Sequence, residues 1–327
     1  MVQMGFRVIK TAVATLLAIF TADALGIDGP LSAGLLAILG VDVTRKRSLM
    51  TVSSRFFASL LGLLMAFVLF YFLGFHFWVL AVYILIAFPI LSRAHFKDGI
   101  VTSSVVVFRV FGGAELSFHI LLTQVELLII GLGYATLVNF IYMPKSENKL
   151  KQLRSEIESL FAIIFKQMAA SLRDPYHVWD GKELIEASKR VEEGRLTAHR
   201  ALENQMIKPD ETWSIYFYMR NQQLERVEYM LELLSRVYQR MPQGEVNAML
   251  FDQLSEDVLN EVYTGQTEEM LHELEQYFKK MELPASREEF ELRSILLQLC
   301  RELDMYLQIA KKHKKPATEL KLEQTLN

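Results

Sequence analysis

Two hydrophobic patterns follow one another along the chain. From Phe6 to Met143, long apolar runs are separated by short basic or glycine-containing segments; beyond Lys149, apolar residues recur every three or four positions among charges. The first pattern predicts six transmembrane helices, at Phe6–Leu25, Ile27–Val41, Phe56–Leu73, Phe77–Leu91, Ile100–Phe111 and His119–Met143, the last stopped by Pro144. Crossing the hydrocarbon core takes about 20 apolar residues. The first, third and sixth runs meet that length, the fourth does so with its flanks, and the second and fifth are short. The second run opens at Gly29-Pro30, where proline suits a first helical turn.

The second pattern is that of amphipathic helices. Leu150, Leu153, Ile157, Leu160 and Ile164 share one face, as do Leu292, Leu296, Leu299 and Leu303. Asp174-Pro175, Lys208-Pro209, Pro242-Gln243-Gly244 and Leu283-Pro284 break the periodicity. Helices are predicted near 146–172, 182–206, 210–241, 245–263, 267–282 and 287–313. Ser286 to Glu289 form a capping box that opens the last of them. Gly265 and Thr267 either separate the fourth and fifth or lie within one bent helix. The fold class is all-α: a six-helix transmembrane bundle over 1–144, a soluble antiparallel helical bundle over 145–315, and a disordered tail over 316–327.

Charge sharpens the division. Residues 1–148 hold 10 Lys and Arg against 7 Asp and Glu, and the remainder hold 25 against 31. Neither half carries the concentrated basic face that nucleic acid requires. Within the first half, Arg7 and Lys10 lie at the first span, Arg45, Lys46, Arg47 and Arg55 between spans two and three, Arg93 and Lys97 between four and five, and Lys145, Lys149 and Lys151 after six. The alternate loops, near Gly26, Gly74 and Gly112, have only Arg109 nearby. By the positive-inside rule both termini and the helical bundle are cytoplasmic, in a multi-pass protein of the cell membrane. Arg7, Lys10, the apolar run and Ala22-Asp23-Ala24 also mimic a signal peptide, but the run is long for one and its loss would break the pairing of spans. Ala58, Gly62 and Ala66, and Gly131 and Gly133, are small residues spaced to let helices approach closely.

Cys300, the single cysteine, cannot build an internal disulfide framework and fits a reducing compartment; its place in an apolar stripe predicts an inert core thiol. His199 with Glu203 and Glu268 with His272 lie one turn apart, too few ligands for a metal. No cofactor motif, catalytic triad or other enzymatic constellation is present, so the chain is not expected to be an enzyme.

Ionisable side chains inside a bilayer are costly and point to function. Asp23, Asp28, Arg109 and Glu126 are such groups, all toward the outer half; Thr102, Ser103 and Ser104 face the other way along the fifth span. In one scheme Arg109, with Ser103 and Ser104, binds the carboxylate of an anionic substrate, while Glu126, Asp23 or Asp28 takes up a proton in competition with it. The short, polar second and fifth spans occupy corresponding places in two three-helix halves, as at transporter binding sites. In the other, Arg109 pairs with Glu126 or Asp23 to lock the bundle, or the polar groups reach interfacial water.

The opening Met4-Gly5-Phe6-Arg7-Val8-Ile9-Lys10-Thr11-Ala12, the Gly29-Pro30 start of span two and the basic Asp42-Val43-Thr44-Arg45-Lys46-Arg47-Ser48 loop resemble the aromatic acid exporter family, most of all its branch with one six-helix unit and a C-terminal helical domain. The resemblance runs from about Met4 to Lys312. It implies efflux of aromatic carboxylic acids driven by the proton gradient, with the lipid bilayer and a small organic anion as partners. Longer relatives carry two such units, so one unit per chain implies a homo-oligomer. The family offers no sharp substrate motif, and the candidate residues rest on bilayer physics. The contrasting expectation is a non-transporting membrane scaffold or sensor whose cytoplasmic bundle binds a protein.

Overall fold

The computed structural model describes residues 6–141, 146–206, 208–260 and 262–313; the tail assigned to 316–327 lies outside them. Among the described residues the architecture is all-α. Two compact units divide the chain: Met1–Pro144 with Glu203–Pro209, and Lys145–Leu202 with Asp210–Asn327.

The first unit contains α1 (Phe6–Ala24), α2 (Leu31–Gly40), α3 (Arg45–Leu73), α4 (Phe77–Arg93), a 3-10 turn at Lys97–Gly99, α5 (Ile100–Gly113) and α6 (Phe118–Ile141). Each predicted apolar run holds one helix. By length and composition α3 and α6 are long and apolar enough to cross a membrane, and α2 and α4 are shorter apolar helices. One boundary differs: α3 begins at Arg45 rather than Phe56, so Arg45, Lys46, Arg47 and Arg55 are helical and not in a loop. Thr44 takes an extended conformation and its hydroxyl accepts the Arg47 N–H at 3.4 Å, an N-cap. No glycine or proline falls between Arg45 and Leu61, so the helix runs unbroken into the apolar stretch.

Small residues set the packing. Ala14, Ala18 and Ala22 of α1 and Ala33 and Ala37 of α2 are fully buried, bringing α1, α2 and α6 together; α3, α4 and α5 form a second group, and α3 joins the two against α6. At Gly131 of α6 a Cβ would lie 2.6 Å from the Ala33 carbonyl oxygen and from Leu36 Cβ. At Gly133 a Cβ would meet nothing within 4 Å. Only the first of the two glycines therefore serves a close approach within the chain.

The second unit contains α7 (Glu147–Arg173), α8 (Lys182–Asn204), α9 (Thr212–Leu234), α10 (Pro242–Asp257), α11 (Gln266–Lys280) and α12 (Arg287–His313). The helix predicted over 210–241 ends at Leu234, and α10 starts earlier than predicted because Pro242 occupies its first turn, where the missing N–H is no loss. Gly265, at φ +80°, precedes α11, so α10 and α11 are separate helices. The capping box at α12 forms with one shift: Ser286 Oγ accepts the Glu289 N–H at 3.1 Å, while the Glu289 carboxylate takes the Ala285 N–H at 2.8 Å.

Phe161 and Phe165 of α7, Phe251 of α10 and Leu296, Leu299 and Leu303 of α12 belong to one core. An ion pair runs through it. The Arg220 side chain is 1% exposed and donates to Glu158 Oε1 (2.8 Å), the Tyr216 hydroxyl (3.0 Å) and Gln223 Oε1 (3.1 Å). Its guanidinium stacks over the Phe161 and Tyr216 rings. Burial pushes the Tyr216 phenol up to about 12, so it stays neutral and donates to Glu158 at 3.0 Å. Cys300 is buried, and its thiol donates to Asn247 Oδ1 at 3.1 Å. Desolvation, helped by the charge of Glu275, pushes that thiol up to about 12. Since only the thiolate attacks alkylating agents, iodoacetamide at pH 8 should leave Cys300 unmodified in folded protein and label it fully in denaturant, read by mass spectrometry; fast labelling of folded protein would contradict this packing.

Candidate functional site

Glycine geometry brings two acids together at one end of the first unit. Gly26 at φ +68° and Gly29 at φ +76° end α1 and turn the chain into α2: the Ile27 N–H reaches the Ala22 carbonyl (3.0 Å) and the Gly26 N–H that of Asp23 (2.9 Å), the paired bonds of a Schellman motif. The turn forms one wall of a groove of about 510 Å³, lined by Asp28 on that side and by His119, Thr123, Glu126 and Ile130 of α6 on the other. The α6 positions repeat at four, three and four residues and so share a face. Thr123 spends its hydroxyl on the His119 carbonyl (3.0 Å). The groove therefore offers two carboxylates, exposed Asp28 and half-buried Glu126, and one imidazole. Asp23 is exposed on the last turn of α1. His119 was not among the sequence candidates, although its position seven residues before Glu126 places both on one helical face.

Arg109 of α5 holds this turn. Its Nη2 donates to the Asp28 carbonyl at 2.5 Å and Nη1 to the Gly29 carbonyl at 3.4 Å. A Cβ on residue 29 would fall on the guanidinium and displace it from the turn, and the positive φ itself favours glycine there. The partners of Arg109 are backbone carbonyls rather than the Glu126 or Asp23 side chains.

The three hydroxyl residues of α5 separate. Ser104 bonds back to the Ile100 carbonyl of its own helix (2.9 Å). Ser103 is fully buried and shares a hydrogen bond with the Tyr83 hydroxyl (3.0 Å). Thr102 accepts Arg55 Nη1 at 2.9 Å. Ser103 lies about 9 Å along the helix from Arg109, so the structure does not bring Arg109, Ser103 and Ser104 into one site.

A further polar cluster ties the start of α1 to the end of α6. Lys10 is 2% exposed; its Nζ donates to Asn139 Oδ1 (2.6 Å) and to the Asp42 carbonyl (3.4 Å). Asn139 in turn donates to the Thr44 carbonyl (3.3 Å), and Thr51 to Asp42 Oδ2 (3.2 Å). Lys10 had counted in the sequence only as a topology charge. Among the described residues no group of three or more His, Cys, Asp or Glu is arranged to hold a metal ion.

Residues 2–143 match the family model "Aromatic acid exporter family member 1", and residues 147–311 match that of the aromatic acid exporter C-terminal domain. The chain belongs to the aromatic acid exporter family. It is 33% identical to the Bacillus subtilis (strain 168) "Uncharacterized protein YqjA" over 313 residues, covering 94% of this chain and 96% of that one. The "UPF0421 protein YgaE" of the same organism is 25% identical over 216 residues, 65% of this chain and 56% of the relative. A crystal structure from Clostridium difficile 630 aligns with a TM-score of 0.44 at 20% identity, over 52% of this chain and 98% of its own. The aromatic acid exporter family is one of membrane transporters rather than of enzymes.

Proposed function

We propose that the protein exports aromatic carboxylic acids across the cell membrane in exchange for protons. In this reading all six apolar helices span the bilayer, the second unit is a cytoplasmic bundle, and the chain works as a homo-oligomer. Family membership supports export; the observation that favours proton coupling is the groove that Asp28, Glu126 and His119 line together. Proton occupancy of Glu126 changes the charge of that groove by one unit, and coupling needs such a difference between two states of the carrier. Asp28 is the second acid of the groove, and Asp23 stands at the last turn of α1 as a relay to water. Arg109 acts on transport by holding the Asp28-Gly29 turn against the groove, and Ser103 and Ser104 mark the polar side of α5.

The test is transport of labelled 4-hydroxybenzoate in proteoliposomes with an imposed pH gradient. Wild type should move it faster when the gradient is present, and Glu126→Gln should lose the gradient dependence at equal reconstitution. Undiminished, gradient-driven transport by Glu126→Gln would remove the proton role of Glu126. Folded wild type that moves no acid across a panel would favour a non-transporting membrane scaffold.

A further inference from the structure

The buried face of α3 carries polar groups that its packing does not use. Buried Ser48, Thr51 and Ser59 and half-buried Arg55 follow one another at spacings of three or four, Thr51 alone of the three hydroxyls being spent, on Asp42, and beyond them the face continues as Gly62 and Ala66. Hydroxyls buried in a helix ordinarily bond back to the carbonyl four residues earlier. Thr11, Thr15, Ser104, Thr123 and Thr136 all do so. Ser48, Ser54 and Ser59 do not: their hydroxyl oxygens are buried with no hydrogen-bond partner, and so is Arg55 Nε. Ser48 and Ser59 are fully buried. Leaving such groups unmade costs free energy, and each one calls for a reason.

Arg55 gives the set its charge. Nη1 donates to Thr102 Oγ1 across the α3–α5 seam (2.9 Å). Among the described residues Arg55 forms no ion pair; Asp98 and Asp42 act on it only through space. It sits about 15 Å along α3 from Arg45, half-buried, where Gly99 of the 3-10 turn packs on its backbone at the start of α5. One turn past Ser59, the missing side chain of Gly62 leaves its place to Ser103 Oγ and the Tyr83 hydroxyl, which bond each other at 3.0 Å. Between the Arg55–Thr102 bond and the Ser103–Tyr83 pair over Gly62, the α3 face thus leaves Arg55 Nε and the Ser59 hydroxyl without partners. A guanidinium without a carboxylate partner, flanked by unused hydroxyl donors, matches the chemistry of an organic carboxylate.

We propose that the α3–α5 seam binds the carboxylate of the exported acid, with Arg55 as its charge partner and the Ser59 hydroxyl as a donor, and that the Ser103–Tyr83 bond over Gly62 closes the seam beyond the bound anion. The proposal rests on the export reading for its choice of ligand. It differs from the role first expected of Arg109, whose Nη atoms are engaged with the turn before α2.

Calorimetric titration of the full-length protein in detergent with 4-hydroxybenzoate tests it. Wild type should bind saturably, Arg55→Gln about tenfold or more weakly, and Ser59→Ala about threefold more weakly. Arg55→Gln risks misfolding. Ser59→Ala removes a hydroxyl that bonds nothing in the free protein, so its melting temperature should be unchanged and its weakened binding reports the ligand contact. Binding by both variants within twofold of wild type, or no saturable binding by wild type, would overturn the assignment. Saturable, Arg55-dependent binding without transport in vesicles would leave the site standing and sink the export reading; transport with unaltered kinetics in both variants would do the opposite.

Discussion

Glu158→Ala is expected to destabilise the second unit by about 3–5 kcal/mol, the cost of leaving a buried charge without its partner. The Glu158 side chain is 9% exposed and a single oxygen accepts from Arg220, Arg154 and the Tyr216 hydroxyl. Truncation removes the charge partner of the Arg220 guanidinium, whose side chain is 1% exposed, and leaves it Tyr216 and Gln223. A domain is stable by only about 5–15 kcal/mol, so the loss is a large share of the total. Melting of the full-length protein in a Trp78→Phe background, followed through Trp179 and Trp213, should shift down by about 10 °C. Replacing both partners with apolar residues, as in Glu158→Leu with Arg220→Met, should recover much of that, because the pair's desolvation is then avoided. A shift of under about 2 °C for the single variant would show that the network does not hold the core as described.

The second large effect is steric. Gly131→Ala puts a methyl group 2.6 Å from the Ala33 carbonyl oxygen and from Leu36 Cβ. Backbone cannot yield as a flexible side chain can, so α2 must lift from α6, and overpacking of this kind costs about 1–3 kcal/mol. Gly133→Ala, two residues away and facing open space, should stay within about 0.5 kcal/mol of wild type. The pair is read as the melting temperature and the monodisperse yield in detergent. Equal behaviour of the two variants would contradict the α2–α6 packing. Because α2 begins just after Asp28, Gly131→Ala should also disturb the groove that Asp28 shares with Glu126.

Helix placement was legible wherever burial and helical phase coincide. The apolar runs located α1 to α6, the heptad stripes located α7 and α12, and the breaks at Asp174-Pro175 and Lys208-Pro209 bounded α8. The misplaced boundaries have particular causes. The basic residues 45–47 and 55 suggest a loop when charge is taken to mark helix ends, but Thr44 caps a helix that simply begins among them. Tyr238 and Met241 continue the spacing of Leu224, Val227, Leu231 and Leu234 and so prolong α9 on paper, Met241 packing against the same core, although the chain has already left the helix at Leu234. The sites were less legible. Asp28 and Glu126 are far apart in sequence, and only the packing of α1, α2 and α6 makes them neighbours. The sequence marks Arg109 as a charge within an apolar run but does not reveal that its partners are two carbonyls. Thr102, Ser103 and Ser104 look alike in the sequence, yet successive positions on a helix point about 100° apart; one hydroxyl meets Arg55, one meets Tyr83 and one turns back on its own helix.

Proton-coupled export is tested most directly by the proton flux that substrate itself drives. Proteoliposomes with a pH-sensitive dye inside and no imposed gradient would be given 4-hydroxybenzoate on one side, with protein-free liposomes correcting for passive entry of the undissociated acid. Exchange of anion for proton predicts a protein-dependent pH change, opposite in direction to the movement of the acid and absent in Glu126→Gln. Substrate movement with no accompanying proton movement in wild type would contradict the account.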